Sequence, residues 1–120
     1  MANKDLQMRQ FTLCYIPFPE AIRGEIFGMI HWMEDKQRYL IAIDSTRTEE
    51  EQLLTLKHEL SHARLCHFFN KGKTEEQEED EADIYAERMS DDEFHFLLSF
   101  AWKVITVDGC FDDNLVFHQA

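Results

Sequence analysis

The chain has 120 residues, of which 44% are hydrophobic, including ten Phe and two Trp. This composition excludes a disordered acidic chain and predicts that residues 1–120 form one folded domain with a single core. The formal net charge is −12, with no Lys/Arg-rich patch, which argues against direct nucleic-acid binding because phosphate recognition needs a basic surface. We expect a protein or peptide partner instead.

The N-terminal segment, residues 1–10, is polar, and no apolar run approaches the ~20 residues that a membrane span requires. The three cysteines, Cys14, Cys66 and Cys110, lack C-x-x-C spacing, which indicates reduced thiols rather than a disulfide framework. We therefore expect a soluble, cytoplasmic protein without a membrane partner. Cys66 is expected to be a buried thiol rather than a nucleophile.

Residues 11–44 have the pattern of a small β-sheet. Pro17 and Pro19 end the first segment. Residues 26–33 predict a strand, residues 34–37 a turn, and residues 38–43 a returning strand. We expect a small antiparallel sheet built on this hairpin, with an edge on which an extended peptide could be hydrogen-bonded.

Residues 48–103 have a helical pattern. Thr48 and Glu51 form a capping box that predicts a first helix over residues 48–68, ending near Asn70 and Gly72. Residues at helical spacing give this helix a face for the core: Leu53, Leu56, Leu60 and Ala63.

A second helix is predicted over residues 74–89. Its apolar stripe comprises Ala82, Tyr85, Ala86 and Met89. A second capping box, Ser90 with Glu93, starts a third helix through about residue 103. Its inward-facing residues are Phe94, Leu97, Leu98 and Ala101.

Residues 104–120 form a C-terminal extension that fits either a short strand or an irregular ordered segment. The predicted fold class is α+β, with the hairpin sheet packed on the first helix and on two further helices.

Residues 58–62 read H-E-L-S-H, which matches H-E-x-x-H. Two imidazoles four residues apart project from one face of a helix, so His58 and His62 can reach one metal while Glu59 can reach a water molecule beside it. The motif is short enough to arise by chance, and these residues would then be polar groups on a surface helix. A catalytic zinc needs a third protein ligand.

His67 is the nearest candidate in sequence for the third ligand. It lies nine positions after His58, which is about 180° around a continuous helix, so we expect it to point away from the metal. We predict that it caps the helix or packs near its end.

A carboxylate from the second helix is the better candidate, as in the two-His-plus-Glu sites of thermolysin-like enzymes. Glu79 is favoured because Asp83 follows one turn later and could accept a hydrogen bond from a ligand imidazole. Glu78 and Glu81 remain alternatives.

Residues 57–67, K-H-E-L-S-H-A-R-L-C-H, and residues 79–86, E-D-E-A-D-I-Y-A, together resemble the ImmA/IrrE-type metallopeptidases. In that family a helix of the form H-E-L-G-H-x-x-L-x-H precedes one of the form E-x-x-A-[ND]-x-[FY]-A. The resemblance spans about residues 41–89. The chain departs from the family at Ser61, where Gly is usual, and after the second helix, where the usual L-L-M-P-like ending is replaced by S-D-D.

The resemblance implies a minimal gluzincin-like domain with one catalytic Zn²⁺ on His58, His62 and Glu79, and with Glu59 as the catalytic residue. Members are often encoded by phages and mobile elements, where they relieve repression by cleaving a repressor, and others act in stress responses. The implied function is a zinc endopeptidase acting on a specific protein, with a transcriptional repressor as one substrate class.

Two other functions fit the sequence less well. One is a catalytically silent binding protein that keeps the metallopeptidase scaffold and sequesters a basic partner through its acidic surface. The intact Glu59 weighs against it. The other is a structural zinc site, which would usually need four ligands rich in Cys.

The oxyanion donor is left open by the sequence. Four residues could supply it, and no spacing rule selects among them: His31, His67, Tyr85 and His95.

Overall fold

A computed structural model of the chain describes residues 8–69, 72–111 and 116–119. The fold is α+β. In chain order its strands and helices are β1 (Phe11–Ile16), β2 (Gly28–Met33), β3 (Arg38–Asp44), α1 (Glu49–Arg64), α2 (Glu75–Arg88), α3 (Asp91–Leu98), β4 (Ala101–Thr106), β5 (Gly109–Phe111) and β6 (Phe117–Gln119), with a short 3-10 helix at Glu20–Ile22.

The predicted hairpin is confirmed, with β2 antiparallel to β3 across the turn at residues 34–37. The prediction that the whole sheet is antiparallel was wrong. Four strands form a mixed sheet in the order β2-β3-β1-β4, and β1 is parallel to both β3 and β4. The three helices between β3 and β4 return the chain to the starting end of the sheet, so β4 enters in the same direction as β3.

The core lies between this sheet and α1. Its fully buried side chains from the sheet include Phe11, Tyr39 and Ile41, and Leu60 of α1 packs in the same cluster. The predicted inward face of α1 is confirmed at Leu56, Leu60 and Ala63. The prediction was wrong for Leu53, whose side chain is 42% exposed and lines an open groove beside α3 and β4.

Helix α1 begins as predicted and ends four residues early. The Thr48 hydroxyl accepts from the Glu51 N–H, and the Glu51 carboxylate accepts from the Thr48 N–H. The helix stops at Arg64, and Cys66 takes a positive φ of 57° that turns the chain back on the helix. No glycine marks this turn. The predicted end signal lies farther along the chain, at Gly72 and at Asn70, and Asn70 is outside the described residues.

The predicted second helix is confirmed, with Thr74 and Gln77 forming its capping box. The third helix is shorter than predicted, because α3 ends at Leu98 and residues 101–106 form β4. Pairing of Lys103 with Thr12 in the sheet overrides the helical periodicity there.

Only part of the second predicted capping box forms. Ser90 accepts from the Glu93 N–H, while the Glu93 carboxylate accepts from the Tyr85 hydroxyl. Beyond β4, the strands β5 and β6 pair as a separate antiparallel ribbon. Among the described residues, no helix is both long enough and apolar enough to cross a membrane.

Candidate metal centre

Helices α1 and α2 bring the three predicted ligands together. His58 and His62 lie one turn apart on α1, with their Nε2 atoms 3.2 Å from each other. Glu79, in the second turn of α2, places Oε2 3.0 Å from Nε2 of His58 and Oε1 3.0 Å from Nε2 of His62. Two imidazole nitrogens and one carboxylate therefore surround a common point.

The spacing of these atoms fits a small metal ion. In a tetrahedral zinc site with bonds of 2.0–2.1 Å, two ligand atoms are about 3.4 Å apart, only a few tenths of an ångström more than the separations here. The ligand atoms of His58, Glu59 and His62 also lie within 4.8 Å of one another, and this group could hold a metal ion.

His62 is held in the neutral form that a metal ligand requires. Its side chain is buried, and this burial lowers its pKa to about 4, with His58 and His67 adding to the effect and Glu79 opposing it. At neutral pH the imidazole therefore keeps one lone pair for a ligand.

Glu59 is the buried carboxylate of the site, 6% exposed, with Oε1 3.9 Å from Nε2 of His58. Burial raises the pKa of Glu59 to about 7, with Glu79 adding to the rise and His58 opposing it. A carboxyl group with a pKa in this range can both take and release a proton near neutral pH.

Asp83 lies where the sequence predicted, one turn after Glu79 and beside His58. Its Oδ1 is 2.8 Å from Nδ1 of His58. A carboxylate can only accept, so this contact favours the tautomer of His58 with its proton on Nδ1, in which Nε2 is free to bind a metal.

The other candidate glutamates have different surroundings. Glu78 lines a cavity next to the site. Oε1 of Glu81 lies 3.1 Å from Nε2 of His67, and Oε2 accepts from the Lys73 ammonium group. Of the three glutamates, Glu79 is the one placed between the two imidazoles of α1.

The prediction that His67 points away from the site was wrong. Its Nδ1 lies 2.8 Å from Nδ1 of His62. The angle calculated from the sequence assumed a helix continuous to residue 67, whereas α1 ends at Arg64 and the turn at Cys66 folds His67 back. Nothing in the helical periodicity signals this position.

Two cavities flank Glu59, and together they form a groove between β2 and α2. The larger, about 650 Å³, extends past His62 to Phe68 and Glu78. The smaller, about 530 Å³, extends past His58 to Leu54. Both cavities are lined by Ile26, Gly28, Glu59 and Glu79.

Among the four residues named as possible oxyanion donors, His67 lines this groove. Tyr85 lines a separate cavity and donates to Glu93, while His31 and His95 are exposed side chains on β2 and α3. The expectation that Cys66 is buried is confirmed.

Strand β2 presents backbone groups to the groove side of the sheet. The Asp44 N–H donates to the Phe27 carbonyl at 2.9 Å. Hydrogen-bonded residue pairs alternate with non-bonded pairs along an antiparallel ladder. Met29 is therefore the next residue of β2 that bonds to β3. Gly28 and Ile30 direct their backbone N–H and C=O groups away from β3. In the described sheet β2 is a terminal strand, so these groups face an open edge.

Comparisons of the chain with family models, with curated proteins and with solved structures found no match.

Proposed function

We propose that this protein is a zinc-dependent endopeptidase of the ImmA/IrrE type that hydrolyses a peptide bond in a specific protein. The observation that carries the proposal is the convergence of His58, His62 and Glu79 around one point, with the buried Glu59 beside them. The motifs over residues 57–67 and 79–86, which resemble that family, support the same conclusion.

The choice of zinc rests on the donor set. Two neutral imidazoles and one carboxylate are the ligands of many catalytic zinc sites, whereas closed structural sites usually have four ligands and are rich in Cys. The three donors here border two cavities. That opening leaves room for a substrate, which a structural site does not need.

The substrate would bind as an extended segment along β2. Gly28 and Ile30 offer backbone donors and acceptors at the open edge, so a peptide can add to the sheet as a further strand. The groove runs past both sides of Glu59. A chain that continues in both directions from the scissile bond is therefore accommodated, as an endopeptidase requires.

The chemical step needs a proton carrier and an electrophilic centre. When bound by His58, His62 and Glu79, zinc would supply Lewis-acid polarisation of the scissile carbonyl and acidify a water molecule. Glu59 takes the proton from the attacking water and passes it to the leaving amine nitrogen. Its raised pKa, about 7, suits both transfers near neutral pH.

The proposed setting is the cytoplasm, with a protein substrate of which a transcriptional repressor is one class. The acidic first turns of α2 border the groove through Glu75 and Glu78, and they favour a basic segment of the partner. The same surface supports a second candidate function, a silent binding protein that sequesters a basic partner.

The experiment that separates these functions compares the wild-type protein with Glu59→Gln in the cells that carry its gene. All protein N-termini are labelled and identified after expression of each form. We expect a small set of new internal N-termini with the wild type and none with Glu59→Gln, while zinc content is equal in both. New termini that persist with Glu59→Gln would contradict the role of Glu59, and no new termini with either form would favour the binding protein.

A further inference from the structure

We propose that His67 is a positioning residue that, together with Glu81, fixes the tautomer of His62 whose Nε2 lone pair faces the metal position. The inference rests on the proposed zinc site. His67 and Glu81 are neither metal ligands nor proton carriers in that proposal.

The observation is a chain of contacts leading away from the site. Nδ1 of His62 lies 2.8 Å from Nδ1 of His67. Nε2 of His67 lies 3.1 Å from Oε1 of Glu81. Oε2 of Glu81 accepts from the ammonium group of Lys73, so the chain ends in an ion pair at the protein surface.

One arrangement of protons on the neutral imidazoles satisfies the contacts from His62 to His67 and from His67 to Glu81. Glu81 is a carboxylate and can only accept, so Nε2 of His67 must carry a proton. Nδ1 of His67 then has a lone pair and accepts from Nδ1–H of His62. In this arrangement His62 has no proton on Nε2, the atom that lies 3.0 Å from Glu79 and would bind the metal.

The opposite tautomer of His62 is the competing state. Its Nε2–H would donate to Glu79, and a metal would have to displace that proton. In this state His67 would direct a lone pair at Glu81, which repels it. Glu79 therefore favours one tautomer of His62, and Glu81, through His67, favours the other. A metal ion that binds the Glu79 carboxylate removes the first preference, so Glu81 and His67 then stabilise the ligand-competent tautomer.

The burial of His67 makes this contact costly to lose. Its side chain is 5% exposed, and a buried ring nitrogen without a partner costs free energy. The Lys73 ammonium group donates to Oε2 of Glu81 and leaves Oε1 to accept from His67.

Asp83 makes the matching contact to the other imidazole, with Oδ1 2.8 Å from Nδ1 of His58. Each of these contacts favours the tautomer whose Nε2 lone pair points to the space that Glu79 borders. The two contacts differ in exposure, since Asp83 is 69% exposed and His67 is buried. Loss of the His67 contact to His62 is therefore harder to compensate than loss of the Asp83 contact to His58.

The test compares His67→Phe with His67→Asn in the full chain. Phe keeps a planar ring but offers no acceptor, whereas the Asn side-chain oxygen can occupy the place of Nδ1. Outer contacts to ligand imidazoles are worth about 10–100-fold in metal affinity. We expect zinc to bind ~10–100-fold more weakly to the Phe variant and close to normally to the Asn variant, as measured by competition with a chelator.

A second readout is independent of metal. Nitrogen-15 NMR of the metal-free protein reports which ring nitrogen of His62 is protonated. We expect a larger fraction of Nδ1-protonated His62 in the wild type and in His67→Asn than in His67→Phe, where the contact with Glu79 alone favours Nε2–H. If the Phe variant does not fold, Glu81→Ala on the α2 surface replaces it, and we expect the Nε2–H population of His62 to increase.

The two proposals fail in different ways. An unchanged fraction of Nδ1-protonated His62 in both His67→Phe and Glu81→Ala would overturn the positioning role. Wild-type protein that binds no zinc while its His62 tautomer still depends on His67 would overturn the proposed function and leave the positioning contact standing.

Discussion

Oδ1 of Asp83 lies 2.8 Å from Nδ1 of His58 across the interface of α1 and α2. The contact favours the tautomer of His58 in which Nε2, the atom 3.0 Å from Glu79, is free to bind a metal. We predict that Asp83→Ala weakens zinc binding by roughly tenfold or more. Asp83→Asn, which keeps an acceptor, should bind zinc close to normally. Chelator competition measures both affinities, and equal affinities for Asp83→Ala and the wild type would contradict the orienting role.

Glu79 supplies the carboxylate of the proposed site, and its side chain is half exposed. Because removing one of three ligands leaves an incomplete site, Glu79→Ala should no longer retain stoichiometric zinc after dialysis. Glu78→Ala is the matched control, since Glu78 lies one position earlier on the same helix and lines the cavity. Elemental analysis decides, and equal zinc loss in the two variants would argue against Glu79 as the ligand.

Ile30 tests substrate pairing with the edge of β2. Its N–H points away from β3, so Ile30→Pro removes a group that binds substrate without breaking a hydrogen bond to β3. Ile30→Ala keeps the N–H and reports the loss of side-chain packing alone. Once a substrate is identified, we expect KM to rise about 2–12-fold for Pro relative to Ala, the effect of one lost hydrogen bond, with unchanged zinc content. Equal KM values would contradict strand addition at this edge.

Asp44 stabilises the connection that leads from β3 into α1. Its Oδ1 accepts from the Phe18 N–H at 3.1 Å, and from the N–H and hydroxyl of Thr46 at 3.0 and 2.8 Å. Its Oδ2 forms an ion pair with Arg47 Nε at 3.6 Å, beyond hydrogen-bond distance. Burial alone would raise the pKa of Asp44, but these hydrogen bonds outweigh it and the pKa is lowered.

A lowered pKa in the folded state gives a definite dependence of stability on pH. The stabilisation by ionised Asp44 is complete above its unfolded value, 3.8, and is lost as the pH falls through the lower folded value. We predict that Asp44→Asn costs roughly 1–3 kcal/mol at pH 7, and that this cost decreases as the pH falls below 3.8. Urea unfolding of both forms over this pH range measures the difference, and a cost independent of pH would contradict the account.

The parts of the site that the sequence predicted are those that follow from local helical geometry. The spacing of His58 and His62, and that of Glu79 and Asp83, each depends on one helical turn, and both pairs lie as predicted. The place of His67 depends on where α1 ends. That end is set by a positive φ at Cys66, a conformation that residue type does not signal there.

The fold shows the same division between local and long-range determinants. The β2–β3 hairpin is local and was predicted, whereas the parallel partners of β1 come from distant parts of the chain. Residues 101–103 have helical periodicity, yet Lys103 lies in β4 because its pairing with Thr12 completes the sheet. Such pairing is decided by tertiary contacts rather than by local propensity.

The central claim is that His58, His62 and Glu79 hold one zinc ion beside Glu59. Anomalous diffraction from crystals of the zinc-treated protein, measured above and below the zinc absorption edge, tests it most directly. We predict one strong peak about 2.0–2.2 Å from Nε2 of both histidines and from a Glu79 oxygen. The zinc ion should have no other protein ligand on the side that faces Glu59. A zinc peak bound elsewhere, or one enclosed by four protein ligands, would contradict it.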